Sequence, residues 1–297
     1  MYEKKYSKFE NPLKVFYISR IWRLFPVFIL FNSIAFIVSY YYNPHLFLTI
    51  SSFPWLIKGI YWFSNLFLLG FFNMGPQALV PAWSLDIELQ FYLLYPILLF
   101  GFKKINYWML LPFIVATLIL SINYPSIIIS KTLIYYLFYF LVGMAIYLKD
   151  FYFNKRIEIL CTCIFIFIVI SNYIIPELKK ATVGDNATDY NRYLNECLPI
   201  LLIPFISNSV RNKSSKLDRV LGDMSFVLYL SHWALIIPYN YYIKGLTVTQ
   251  RIPYSLFYLL LTLAVSFFIY KFYDKPIDNL RKKWVESHDL KVTLTKK

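Results

Sequence analysis

Residues 24–42 read LFPVFILFNSIAFIVSYYY, nineteen consecutive positions without a charged side chain. An uninterrupted, predominantly apolar stretch of about 17–25 residues is the signature of a helix that crosses a bilayer, because only lipid can receive an apolar surface on every side of a helix. Working outward from this run, the same reading yields further spans at Trp83–Phe102, Tyr107–Asn123, Thr132–Leu148, Ile157–Ile175, Cys197–Ser209, Val220–Tyr242 and Ile252–Phe272. The fold class that follows is all-α, a polytopic transmembrane helical bundle of about eight spans. A ninth apolar stretch, Trp55–Phe72, is interrupted by Lys58, Gly59, Ser64 and Asn65. It is read as crossing, re-entrant or interfacial, because broken apolar segments at membrane depth need partners for their backbone groups.

Composition agrees with the spans. Apolar residues make up 59% of the 297, aromatics 21% and charged residues only 15%, against about 45–50% apolar and 25% charged in soluble domains. No polar stretch is long enough for a soluble domain, so residues 1–283 read as one membrane domain and 284–297 as a basic cytoplasmic tail. The net charge of +14 sits in short clusters between apolar runs, which addresses anionic headgroups and not nucleic acid. Cys161, Cys163 and Cys197 form neither a metal-ligand set nor an even disulfide framework and read as packing residues, and no metal site is expected. Lys4, Lys5 and Lys8 precede no short apolar core with a cleavage site, so the first run is expected to be an uncleaved anchor.

Lys and Arg collect on the cytoplasmic side of membrane proteins. With eight spans and the N-terminus inside, 23 of the 30 basic residues fall inside and 7 outside; a full crossing by Trp55–Phe72 would turn this to 12 against 18. Both termini are therefore expected in the cytoplasm. The longest outside loop, Pro176–Glu196, carries the formal glycosylation triplet Asn186-Ala187-Thr188, which arises often by chance. No internal repeat is visible.

Ionisable residues at membrane depth are functional candidates, and three segments hold them. In Phe16-Tyr17-Ile18-Ser19-Arg20-Ile21-Trp22-Arg23-Leu24-Phe25-Pro26, Arg20 and Arg23 lie three apart at a span mouth, spaced either to grip the phosphates of a nucleotide-like cofactor or to anchor the helix at the headgroups. In Pro81-Ala82-Trp83-Ser84-Leu85-Asp86-Ile87-Glu88-Leu89-Gln90-Phe91-Tyr92-Leu93-Leu94-Tyr95-Pro96, the residues Ser84, Glu88, Tyr92 and Tyr95 form one polar stripe. A local role is the alternative there, with Ser84 as a cap and Asp86 and Glu88 offsetting the helix dipole. In Leu221-Gly222-Asp223-Met224-Ser225-Phe226-Val227-Leu228-Tyr229-Leu230-Ser231-His232-Trp233, the residues Ser225, Tyr229 and His232 share a face, and a neutral imidazole is the usual base for a hydroxyl.

These three segments in this order, with Tyr270-Lys271-Phe272-Tyr273-Asp274-Lys275-Pro276 at the end of the last span, resemble the acyltransferase-3 family of integral membrane acyltransferases. The similarity runs from about Phe16 to Lys283. Its most specific element is Trp83-Ser84-Leu85-Asp86-Ile87-Glu88 followed by Phe91-Tyr92-Leu93 and Pro96, and Tyr229-Leu230-Ser231-His232 is nearly as telling. The resemblance implies transfer of an acyl group, usually acetyl from acetyl-coenzyme A as cosubstrate, to a hydroxyl of a cell-surface glycan or related envelope acceptor, in a bacterial inner membrane. It implies Arg20 and Arg23 as binders of the coenzyme A phosphates and Glu88 and His232 as catalytic residues, with Trp83, Ser84, Tyr92, Ser225 and Tyr229 positioning the substrate.

Members of that family usually begin with two further helices, the first carrying a histidine thought to be the base, and this chain starts at what would be their third. The expectation is a truncated gene product, an inactive fragment, or a partner that supplies those helices. Two other functions compete: a transporter or flippase of lipid-linked glycans, which would use paired charges along several helices, and a glycan polymerase with an arginine-rich outer loop, where Pro176–Glu196 has only Arg192.

Overall fold

The computed structural model describes residues 9, 11–104, 107–123, 131–148, 152–175, 194, 197–210, 212 and 215–288. Among the described residues the fold is all-helical, with no strand. The helices are α1 (Pro12–Tyr42), α2 (His45–Ser52), α3 (Trp55–Phe67), α4 (Trp83–Lys104), α5 (Tyr107–Asn123), α6 (Leu133–Leu148), α7 (Lys155–Ile174), α8 (Ile203–Ser209), α9 (Lys216–Tyr242), α10 (Val248–Ile269) and α11 (Lys275–Ser287). Each of the eight expected spans falls on helix. Among the described residues five stretches are long and apolar enough to cross a membrane: Pro12–Tyr42, Val80–Phe102, Lys155–Ile174, Lys216–Tyr242 and Val248–Ser287. Lys4, Lys5, Lys8, the Asn186 triplet, Arg192 and residues 289–297 of the expected tail lie outside the described residues. Residues 284–287 of that tail belong to helix α11.

The chain forms two compact units, residues 97–214 and residues 1–96 with 215–297. In the first of these, α5 packs on α6, and α7 packs on α8 and the 3-10 turn Leu198–Leu202 before it. A polar clasp closes the start of α7. The Glu158 carboxylate accepts from Lys155 Nζ at 2.6 Å and from Asn208 Nδ2 at 2.7 Å, and Asn208 also bonds the backbone N–H and C=O of Phe153. The sequence reading of the cysteines as packing residues is corrected for Cys163 and Cys197, whose side chains are exposed.

In the other unit α1, α3, α4, α9 and α10 share one core built on Leu24, Val27, Phe28, Phe31, Tyr61, Phe71, Leu79, Val227 and Leu230. Lipid tails are as apolar as these side chains, so close packing and polar contacts hold the helices together more than water exclusion does. Small residues supply the close approach: Ala35, Ala82 and Ala234 are buried, and Ser231 of α9 meets Ser266 of α10 with their hydroxyl oxygens 2.8 Å apart.

Helix register places the site. Helices α1 and α9 run parallel, because Trp22 and Arg23 line the same cavity as Asp223 and Phe226 while Tyr42 meets Tyr241 and Tyr242 at the other end. Helix α3 runs antiparallel to α1, with Phe36 against Trp62 and Asn32 Nδ2 donating to Asn65 O at 3.1 Å. Further along α1, Phe16 stacks on Tyr95 and Arg20 meets Tyr92, so α4 is also antiparallel to α1. Trp55–Phe72 thus lies along the same side of α1 as α4: α3 leads into α4, and the two helices are separated by the break at residues 68–82.

That break sits beside the middle of the apolar run Leu24–Tyr42. Phe28 packs on Phe71, and Trp233 Nε1 donates to Ala78 O at 3.1 Å. Non-helical backbone at this depth is tolerated only when its polar groups find partners. Here side chains provide them. The Asp86 carboxylate accepts the N–H groups of Gly70 (3.0 Å) and Phe72 (2.9 Å), Gln77 Nε2 donates to Phe71 O, Tyr61 to Pro76 O and Tyr229 to Pro81 O. The break starts at Leu68, fully buried with φ 63°, a left-handed conformation costing about 1 kcal/mol or more for a residue with a Cβ.

Candidate active site

The stripe expected on α4 is present and is used residue by residue. Glu88 accepts a hydrogen bond from the Tyr92 hydroxyl, one turn along the helix. Arg20 Nη1 donates to the same hydroxyl at 3.3 Å, and the guanidinium lies 4.8 Å from the Tyr92 ring centroid. Tyr92 therefore links an arginine of α1 to a carboxylate of α4, and its ring gives the cation an electron-rich face. The Tyr95 ring stacks on Phe16 at 5.4 Å.

One turn before Glu88, Ser84 donates to Tyr229 of α9 at 3.1 Å and contacts Pro81 O at 3.2 Å. The rings of Tyr229 and His232 are 5.9 Å apart. A line of polar side chains thus runs from Arg20 through Tyr92 and Glu88 to Ser84, Tyr229 and His232, covering about 12 Å along α4 between Tyr92 and Ser84. Because α1 and α9 are parallel and in register, His232 stands level with Asn32, midway along Leu24–Tyr42 and beside the break in α3–α4. Its Nδ1 is 3.1 Å from Leu228 O. A carbonyl can only accept, so Nδ1 carries a proton, and in the neutral imidazole Nε2 then has the lone pair. That is the tautomer a general base needs.

The remaining expected residues divide. Trp83 stacks on Phe72 at 5.0 Å and so braces the broken segment. Ser225 is exposed and donates to Gly222 O in its own helix. Asp86 is fully buried and holds Gly70, Phe72 and, at 3.0 Å, Gln90 Nε2. It has a fixed structural task that periodicity did not reveal, because two of its partners are backbone N–H groups of the break at residues 68–82.

The two arginines face different surroundings. Arg20 is engaged with Tyr92, whereas Arg23 lines a cavity of about 230 Å³ with Trp22, Asp223, Tyr270, Asp274 and Lys275, and α11 closes one side through Asp278, Asn279, Arg281 and Lys282. The sequence had marked Tyr270–Pro276 by resemblance alone. The π-helical turn Tyr270–Asp274 joins α10 to α11 and carries Tyr270 and Asp274 into the cavity wall. Among the described residues no group of three or more His, Cys, Asp or Glu could hold a metal ion.

Comparison with known families gives one match, the acyltransferase domain, over residues 6–271. No curated protein and no solved structure gives a significant match. The matched residues contain every member of the line from Arg20 to His232 and most of the chain. The chain belongs to the acyltransferase-3 family and is an integral membrane acyltransferase.

Proposed function

We propose that this protein transfers an acyl group, acetyl in the simplest case, from acyl-coenzyme A in the cytoplasm to a hydroxyl of a cell-surface glycan or related envelope acceptor, in a bacterial inner membrane with both termini inside. The observation that carries the reading is the polar line from Arg20 to His232. It starts at Arg20, one turn from the Arg23 that lines a cavity of mixed charge, and ends at an imidazole beside the break between α3 and α4, midway along Leu24–Tyr42. A donor on one side of a membrane and an acceptor on the other can meet at such a point.

In this reading Arg23 and the cavity take the phosphates of the donor, as charge-assisted hydrogen bonds favour, while Arg20 closes the cavity end of the line. The acceptor hydroxyl gives its proton to His232 Nε2 and its oxygen attacks the thioester carbonyl. The carbon–sulfur bond breaks, and the coenzyme A thiolate leaves and takes up a proton. Glu88, held by Tyr92, orients the reacting groups or passes the proton. Ser84 and Tyr229 keep α4 and α9 at the separation this requires.

The break between α3 and α4 also favours a second reading, a flippase for lipid-linked sugars, since interrupted helices form midplane sites in transporters. Membranes carrying the protein, given labelled acetyl-coenzyme A and envelope glycan, separate the two. Label on the glycan that disappears with His232→Gln supports acyl transfer. Glycan translocation without label would replace it by the transporter reading.

A further inference from the structure

Helix α11 lies beyond the residues matched by the family, which end at 271, so the family match assigns it no role. It is nevertheless packed along the N-terminal end of α1. Val285 is buried with Phe9, Val15 and Phe16, and Trp284 stacks on Trp22 at 6.1 Å. Between these contacts Arg281 Nη1 donates to Ser19 Oγ at 2.9 Å, while its Nε and Nη2 donate to Asp278 Oδ1 at 2.8 and 2.6 Å. The other Asp278 oxygen binds Lys282 Nζ at 2.6 Å. The Arg281 side chain is 13% exposed and Ser19 1%. A planar guanidinium fixed through three of its nitrogens cannot swivel, so α11 offers α1 a donor of set position.

Ser19 directly precedes Arg20. Residues four apart on a helix share a face, whereas the next residue along points about 100° away. Anchoring Ser19 to α11 therefore directs Arg23 to the same side, where it lines the cavity, and directs Arg20 toward α4, where it meets Tyr92. One rotation of α1 satisfies both arginines.

We propose that Arg281 is a positioning residue: by holding Ser19 it fixes the rotation of α1 that keeps Arg20 against Tyr92 and leaves Arg23 in the cavity that receives the anionic end of the donor. The kinetic part rests on the acyl-transfer reading; the structural part does not.

The test compares Arg281→Gln, Arg281→Lys, Ser19→Ala and the Arg281→Gln/Ser19→Ala double variant in the full chain, in membranes. Hydrogen exchange is measured over residues 16–24, and the KM for acetyl-coenzyme A is measured separately from kcat. Arg281→Gln should speed exchange in that segment, raise KM roughly tenfold, the loss expected for one buried charge-assisted bond, and lower kcat as well, because Arg23 and Arg20 lose their placement together. Ser19→Ala should reproduce the effect, the double variant should add nothing further, and Arg281→Lys should recover only part. Unchanged exchange in Arg281→Gln and Ser19→Ala overturns the proposal, as does faster exchange with an unchanged KM, or a double variant whose effects simply add. If the unaltered protein transfers no acyl group, the acyl-transfer reading fails on its own and the exchange comparison alone decides whether Arg281 positions α1.

Discussion

The Tyr92 hydroxyl donates to the Glu88 carboxylate one turn before it on α4, and the same oxygen receives Arg20 from α1. An arginine and a carboxylate thus share one phenol. Tyr92→Phe keeps the ring under the Arg20 guanidinium, 4.8 Å away, and removes only the shared oxygen. Transfer should fall by about tenfold to a hundredfold, the range for losing a hydrogen bond to a charged group, with the amount of protein in the membrane unchanged. Initial rates with labelled acetyl-coenzyme A check this, and a full rate in Tyr92→Phe would show that the link has no part in the chemistry.

Glu88→Gln preserves the shape of the side chain and its ability to accept from Tyr92 while removing the charge. If Glu88 orients or relays a proton, turnover should drop by roughly a hundredfold or more without change in expression. Normal turnover would leave Glu88 with a packing role only.

His232→Gln tests the far end of the line. The hydrogen bond of Nδ1 to Leu228 O leaves Nε2 as the only basic position on the ring, and glutamine has no basic nitrogen to replace it. The expected loss in kcat is about 10²- to 10⁴-fold, with donor KM little changed if the donor phosphates bind at the Arg23 cavity as proposed. A raised KM at constant kcat would move His232 from chemistry to binding.

The arginines should separate in kinetics as they do in space. Arg23→Ala should raise KM for acetyl-coenzyme A by about tenfold or more through loss of a phosphate contact in the cavity. Arg20→Ala should act chiefly on kcat, since Arg20 meets Tyr92. Equal effects of the two substitutions on KM would restore the simple picture of a paired phosphate clamp.

Asp86→Ala should destabilise more than it inactivates. It leaves the Gly70 and Phe72 N–H groups without their acceptor at a depth where water does not replace it, at about 1–3 kcal/mol for each buried group. Thermal unfolding in detergent micelles should show a lowered midpoint for Asp86→Ala and none for Glu88→Gln. Similar midpoints for both would mean that Asp86 does not hold the break between α3 and α4.

Much was legible in the sequence because lipid imposes a simple rule: a crossing helix must be apolar over its length and satisfy its own backbone. That rule gave the all-helical class and put each expected span on a helix, from Leu24–Tyr42 to Ile252–Phe272. Helical periodicity likewise gave the stripe Ser84–Glu88–Tyr92, since i and i+4 positions share a face wherever the helix packs. Motif order gave the family.

Tertiary structure decided the rest. Tyr229 reaches Ser84 across 145 positions and Arg281 reaches Ser19 across 262, and no local pattern encodes a contact between helices so far apart in the chain. For the same reason only packing showed that α3 lies with α4 along one side of α1, that Asp86 holds loop backbone, and that Arg20 and Arg23 have different surroundings. Hydropathy and periodicity report which side of a helix is polar; which neighbour meets that side is set only when the helices pack.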